Sequence, residues 1–181
     1  MKSAKIWQKL SVATTATLIA LGMGNGAQAL TFTNPTTGNQ YFLTSSVSNW
    51  TDAQAEAVTA GGNLVTINDA QEQAWLLSTF GNAQLFWIGF NRSSDNVWQW
   101  ASGESVDYTH WALYEPNNTI SYGGQYYGDE NYTIMNWQRD GAWNDVSNSY
   151  IKTRGIVEIV QDVITKIPDI LPDEPIQVCE P

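Results

Sequence analysis

The chain carries a single cysteine, Cys179, and it begins with a segment that has the layout of a secretory leader. Export normally permits disulfides, yet one thiol cannot form an intrachain bridge. Whatever this sequence folds into must stand on its hydrophobic core, on bound metal, or on both. Hydrophobic residues make up 43% of the 181 positions and aromatics 12%, with nine Trp and eight Tyr, so a core can be buried and intrinsic disorder is excluded. The length suits one ordinary domain.

The leader comprises Lys2, Lys5 and Lys9, an apolar stretch over residues 10–23, and a small-x-small cleavage site at Ala27-Gln28-Ala29. An uncleaved anchor is the competing reading, but the stretch is short and rich in Thr and Gly. The expected organisation is a signal peptide at 1–29, one domain at 30–159, and an acidic, proline-containing tail at 160–181. The mature protein is then secreted, or periplasmic or otherwise extracellular, with no membrane span. Cleavage removes three of eight bases and none of eighteen acids, leaving a net charge of −13. That sign repels phosphate backbones and suits cations, so nucleic acid is excluded as a partner. One Cys and one His leave no ligand cluster for zinc and no thiol mechanism. The chemistry is left to carboxylates, amides and rings.

Two helices are expected early. Thr51-Asp52-Ala53-Gln54 has capping-box spacing, followed by Ala53, Ala57 and Ala60 at helical intervals and a stop at Gly61-Gly62. Asn68-Asp69-Ala70-Gln71 repeats the device before Trp75, Leu76 and Phe80, and Gly81 closes it. Short β-type runs are expected at 63–67, 85–90, 97–100, 133–137 and 155–159. Helices first and strands later argue for an α+β fold. Trp98 and Trp100 alternate onto one face and read as core.

Residues 102–125 have almost no regular period, and a long loop in a small domain calls for a functional explanation. Within about 30 positions around it lie Glu115, Asn117, Asp129, Glu130, Asn144 and Asp145, all bearing hard oxygens. As separate turn residues these types need no further role. As a cluster they would repel one another unless a cation such as Ca2+ took six to eight of their oxygens. Glu115-Pro116-Asn117 puts two donors either side of the one kind of peptide bond with ready access to cis. Trp143-Asn144-Asp145 places a large ring beside two more, able to anchor a second loop.

Trp87-Ile88-Gly89-Phe90, Trp111, Glu115-Pro116-Asn117, Asp129-Glu130-Asn131 and Trp143-Asn144-Asp145 occur in the order found in C-type lectin domains. With Trp50, Ala53-Gln54-Ala55 and Gly61-Gly62-Asn63-Leu64-Val65, the chain resembles that family over roughly residues 40–158. The resemblance implies two helices with small antiparallel sheets and a long calcium-binding loop region. It also implies a Ca2+ site formed by Glu115, Asn117, Glu130, Asn144 and Asp145, with vicinal sugar hydroxyls bound to the same ion. The Glu-Pro-Asn order implies mannose-type sugars: mannose, glucose or N-acetylglucosamine. Tyr122, Tyr126 and Tyr127, in a Gly-rich stretch, could stack on a sugar face or pack locally.

The departures are specific. The family's cysteines fall at Ala57, Tyr132, Asn148 and Val157, so both bridges are absent. Ala57 with Val157 is a natural apolar replacement, whereas Tyr132 with Asn148 is not an obvious one. A further calcium site found in some members would need acids where Arg92 and Asn118 stand. The reading that results is a binder and not an enzyme: a lectin whose partner is a glycan or exopolysaccharide. The alternative is a calcium-stabilised interaction module for a protein or other non-sugar surface, since fold does not decide function. A glycosidase needs two acids across a cleft and would leave the Glu-Pro-Asn and Trp-Asn-Asp pairs unexplained.

Overall fold

The computed structural model describes residues 30–161 except 120 and 127, without the side chains of 121 and 122. The leader, most of the acidic tail, Cys179 and Tyr127 lie outside the described residues. Helix α1 spans Trp50–Thr59 and α2 spans Ala70–Phe80. The α1 cap is Asn49, whose Oδ1 accepts from the Asp52 N–H at 2.8 Å, so the helix starts before the Thr51 box would place it. The α2 cap is reciprocal: Asp69 accepts from the Glu72 N–H at 2.8 Å, while the Glu72 carboxylate reaches back to the Asn68 N–H at 3.0 Å.

Ten short strands accompany the helices: β1 Phe32–Thr33, β2 Gln40–Leu43, β3 Asn63–Leu64, β4 Phe86–Arg92, β5 Trp98–Trp100, β6 Ser121–Tyr122, β7 Gln125–Tyr126, β8 Tyr132–Met135, β9 Trp143–Val146 and β10 Arg154–Ile159. Eight form one sheet in the order β1-β2-β10-β4-β8-β9, with β3 on β10 and β5 on β4, while β6 and β7 make a separate hairpin. The expected α+β class holds, but the sheet is mixed, because β10 runs parallel to β4. The last strand returns beside β2, so both ends of the domain are tied into one sheet. Five strands lie where no strand signal was read, two of them, β6 and β7, forming the hairpin in the Gly- and Tyr-rich stretch. β1 and β2 are short and precede the first helix. β9 contains Asn144 and Asp145, types that favour turns, and its four residues are all buried against neighbours on both faces.

Two packed clusters make the core. One gathers Phe90, Trp100, Trp143, Met135 and Leu76; the other joins Trp50, Ala53 and Ala57 of α1 to Leu64, Trp87, Ile134 and Val157. Ala57 and Val157 are both fully buried in the second, as the apolar-replacement reading expects. Tyr132 and Asn148 have a clear role too, because both reach the first turn of α1. The Tyr132 ring packs 4.8 Å from that of Trp50, and Asn148 accepts from the Thr51 N–H at 3.3 Å and donates to its hydroxyl at 3.1 Å.

Gly89 lets β4 pass under β3: its N–H donates to the Val65 carbonyl at 2.9 Å, and a Cβ there would overlap the Leu64 carbonyl oxygen. Both neighbours are backbone and cannot rotate away. Gly89→Ala is expected to cost about 1–3 kcal/mol, as overpacking does, read as a lowered urea midpoint at unchanged slope.

A buried polar triad joins β2, β10 and α2. The Tyr41 hydroxyl is 2.7 Å from Glu72 Oε1 and 2.7 Å from Glu158 Oε1. A phenol has one proton to donate, so one of the two carboxyls must bring the other. Burial, first of all, pushes the Glu158 carboxyl up to about 7, and burial also raises Glu72.

Candidate functional site

The site is assembled on β9. The Trp143 ring lies among Phe90, Trp100 and Trp111 at centroid distances of 5.7, 5.7 and 6.0 Å. Its indole N–H donates to Gln73 of α2 at 2.9 Å. The preceding loop is stitched to the same residue: Trp143 N–H donates to the His110 carbonyl and Ala112 N–H to the Trp143 carbonyl, each at 2.8 Å. From that seam the chain turns through Tyr114, at φ 72°, into a cis Glu115–Pro116 bond. Asp145, fully buried, then grips the end of the loop, its two oxygens accepting from the Asn117 and Asn118 N–H groups at 3.0 and 2.9 Å.

The five residues expected to act together are distributed as follows. Glu115, Glu130 and Asp145 lie within one another's electrostatic reach. Burial first, then the Asp145 charge, pushes the Glu115 carboxyl up to about 7, with Asn117 partly offsetting the rise. Glu130 is likewise pushed up to about 7 by burial, then by Asp145 and Glu115, while the Thr119 N–H and Arg92 pull it back. Glu115 Oε2 and Asn144 Oδ1 are buried oxygens with no hydrogen-bond partner. Asn117 is exposed, and its side-chain oxygen accepts from the Thr119 N–H at 2.7 Å. Tyr126 stands exposed on the β6–β7 hairpin. Asp129, which sits beside Glu130 in sequence, is exposed.

Among the described residues no three His, Cys, Asp or Glu side chains are gathered into a metal set by themselves. The donor chemistry here is different, since amide oxygens belong to it. Crowded carboxylates and two unpartnered buried acceptors are each costly without a cation or donor. A hard ion that accepts six to eight oxygens at 2.3–2.6 Å, at sites tolerant of irregular geometry, would relieve both. The residues present therefore fit Ca2+.

Arg92, Asn118 and Thr119 also belong to this region. In sequence, Arg92 and Asn118 stand out only as obstacles to a further calcium site. In the structure Arg92 is bonded to Asn118, Glu130 and Asn131, next to the segments that carry Glu115–Asn117 and Glu130. No spacing rule identifies such a bridge, because its ends are 26 and 38–39 positions apart.

Residues 46–153 match the family model described as the Lectin C-type domain. The chain belongs to the C-type lectin domain family. Over 111 residues it is 32% identical to Lectin BRA-3 of Megabalanus rosa, covering 60% of this chain and 64% of that protein. It thus spans less than two thirds of that relative. The human scavenger receptor C-type lectin carbohydrate-recognition domain superposes with a TM-score of 0.60 at 26% identity, over 71% of this chain and 95% of that one. A calcium-independent type II antifreeze protein shares the fold at a TM-score of 0.57 and 23% identity, over 67% of this chain and 86% of that one. Membership brings lectin-like function, and with it a role in binding and not in catalysis. Among the described residues no helix is long and apolar enough to cross a membrane.

Proposed function

We propose that this chain is a calcium-dependent lectin of mannose-type specificity, exported by its leader, with Ca2+ held by Glu115, Asn117, Glu130, Asn144 and Asp145. The observation that carries the reading is the pair of buried, unpartnered oxygens, Glu115 Oε2 and Asn144 Oδ1, beside three mutually repelling carboxylates. Bound Ca2+ supplies open coordination positions for two vicinal hydroxyls. The side chains around it do the sorting: carboxylates only accept hydrogen bonds from those hydroxyls, whereas amides can donate to them. Asp145 holds the loop that presents Glu115 and Asn117, and Trp143 holds Asp145.

A second reading, an interaction module for a non-sugar surface, is favoured by Leu113 and Tyr114, which are 72% and 84% exposed immediately before Glu115. Calorimetric titration separates the two. The lectin reading expects Ca2+ binding in the ~10⁻⁴ to 10⁻³ M range common for extracellular modules, and methyl α-mannoside binding only when Ca2+ is present. Sugar binding that survives excess chelator rules out the shared ion. Calcium uptake with no hexose binding favours the interaction module.

A further inference from the structure

The segments carrying Glu115–Asn117 and Glu130 are separated in sequence and have no disulfide to join them. They are nevertheless tied together by the side chains of Arg92 and Asn118. The Arg92 guanidinium donates from Nη2 to Asn118 Oδ1 at 2.7 Å and to the Glu130 carbonyl at 3.0 Å, and from Nε to Asn131 Oδ1 at 2.9 Å. Its face lies 5.6 Å from the centre of the Trp98 ring, and Trp98 is itself stacked on buried Phe90 at 5.4 Å. Asn118 closes the link. Its side-chain oxygen also accepts from the Glu130 N–H at 2.9 Å, while its own N–H is held by Asp145.

Two features make this more than surface decoration. Arg92 bonds to the backbone carbonyl of Glu130, so that residue's main chain is held while its carboxylate stays available to the site. The three acceptors are also reached by a planar fork backed by an aromatic ring, a geometry that a guanidinium has and an ammonium lacks. We infer that Arg92 is a positioning residue, an internal cation that holds the ligand segments in register before any metal binds. This rests on the proposed Ca2+ site. It adds that the site is preformed, so that calcium is needed for the ligand and not for the order of the loops.

Coulomb's law and the brace predict opposite signs, which makes the inference testable. A positive charge close to a cation site opposes metal binding, so Arg92→Met should tighten calcium if charge alone matters. If Arg92 acts as a brace, Arg92→Met and the charge-conserving Arg92→Lys should both weaken it, by about tenfold for loss of a multi-point charge-assisted link. Calcium affinity would be measured by calorimetry on the full chain. In parallel, NMR would follow exchange of the Asn117, Asn118 and Glu130 amides in excess chelator, with the chelated melting temperature of each variant as a control for folding. The expected result is protection of those amides in the metal-free parent and roughly tenfold faster exchange in Arg92→Lys, at a nearly unchanged melting temperature. Unaltered calcium affinity in Arg92→Lys, or free exchange of those amides in the metal-free parent, overturns the inference. A parent that takes up no calcium defeats the proposed function instead, and the exchange measurement still decides whether the brace exists.

Discussion

Asp145→Asn is expected to lower calcium affinity by about two orders of magnitude, roughly 2.7 kcal/mol, and to remove mannoside binding with it. Asp145 acts on both sides of the site. In the proposed site it contributes one of three carboxylates, and its two oxygens accept the Asn117 and Asn118 N–H groups that fix the loop. The amide replacement loses the charge and turns one acceptor into a donor facing a backbone N–H, which misplaces Glu115 and Asn117 as well. Isothermal titration with calcium, followed by methyl α-mannoside in saturating calcium, measures both losses. A variant that binds calcium like the parent would show that Asp145 serves the loop alone.

The second large effect concerns acidity. With calcium chelated, the protein is expected to be more stable at pH 5 than at pH 7.5. The cause is the Tyr41–Glu72–Glu158 triad, faced also by Asp69 and Glu104 on the Glu72 side, and by the Asn39 amide and the Thr66 N–H on the Glu158 side. The folded Glu158 carboxyl titrates near 7 against an ordinary 4.5, so the folded state binds the proton more tightly than the unfolded chain does. Stability from this source is complete below the unfolded value and is lost as pH rises through the folded one. At 1.36 kcal/mol per unit, the loss is of order 3 kcal/mol across that window. Glu115 and Glu130 shift in the same direction without metal, but they are partly exposed and contribute less through solvent screening.

Glu72→Gln isolates the triad. A glutamine amide can donate to the Tyr41 oxygen while the phenol donates to Glu158, so the extra proton is no longer needed. Urea unfolding in chelator at the two pH values should show a steep loss in the parent and a clearly flatter one in the variant. A parent that gains stability toward pH 7.5, or equal losses in both proteins, would contradict the shared proton.

Much of this architecture could be read in the residues. Both helices were legible through the alanines of α1 and the Gly81 stop of α2, though each cap lies off its expected position, at Asn49 and not Thr51 and at Asp69 and not Asn68. The Trp-Ile-Gly-Phe run proved to be a central strand. Of the site, the Glu-Pro-Asn and Trp-Asn-Asp pairs converge through the Asp145 contacts. What stayed hidden depends on long-range partners. Nothing local marks Tyr41, Glu72 and Glu158 as one unit, since they meet across 31 and 117 positions. β9 escaped notice because Asn and Asp read as turn residues, and here burial and pairing with β8 override that preference. Arg92 was visible only as a missing acid. Its value comes from three acceptors that the fold alone brings together.

Where the family's bridges would lie, this domain has an Ala57–Val157 contact and two separate ties from Tyr132 and Asn148 to the head of α1. Each substitute is non-covalent and free of sulfur. The binding loops are therefore indifferent to the redox poise around them: a reductant has nothing in the described domain to cleave. The same fold can form in a reducing compartment as in an oxidising one, without an oxidase or an isomerase to set its pairing.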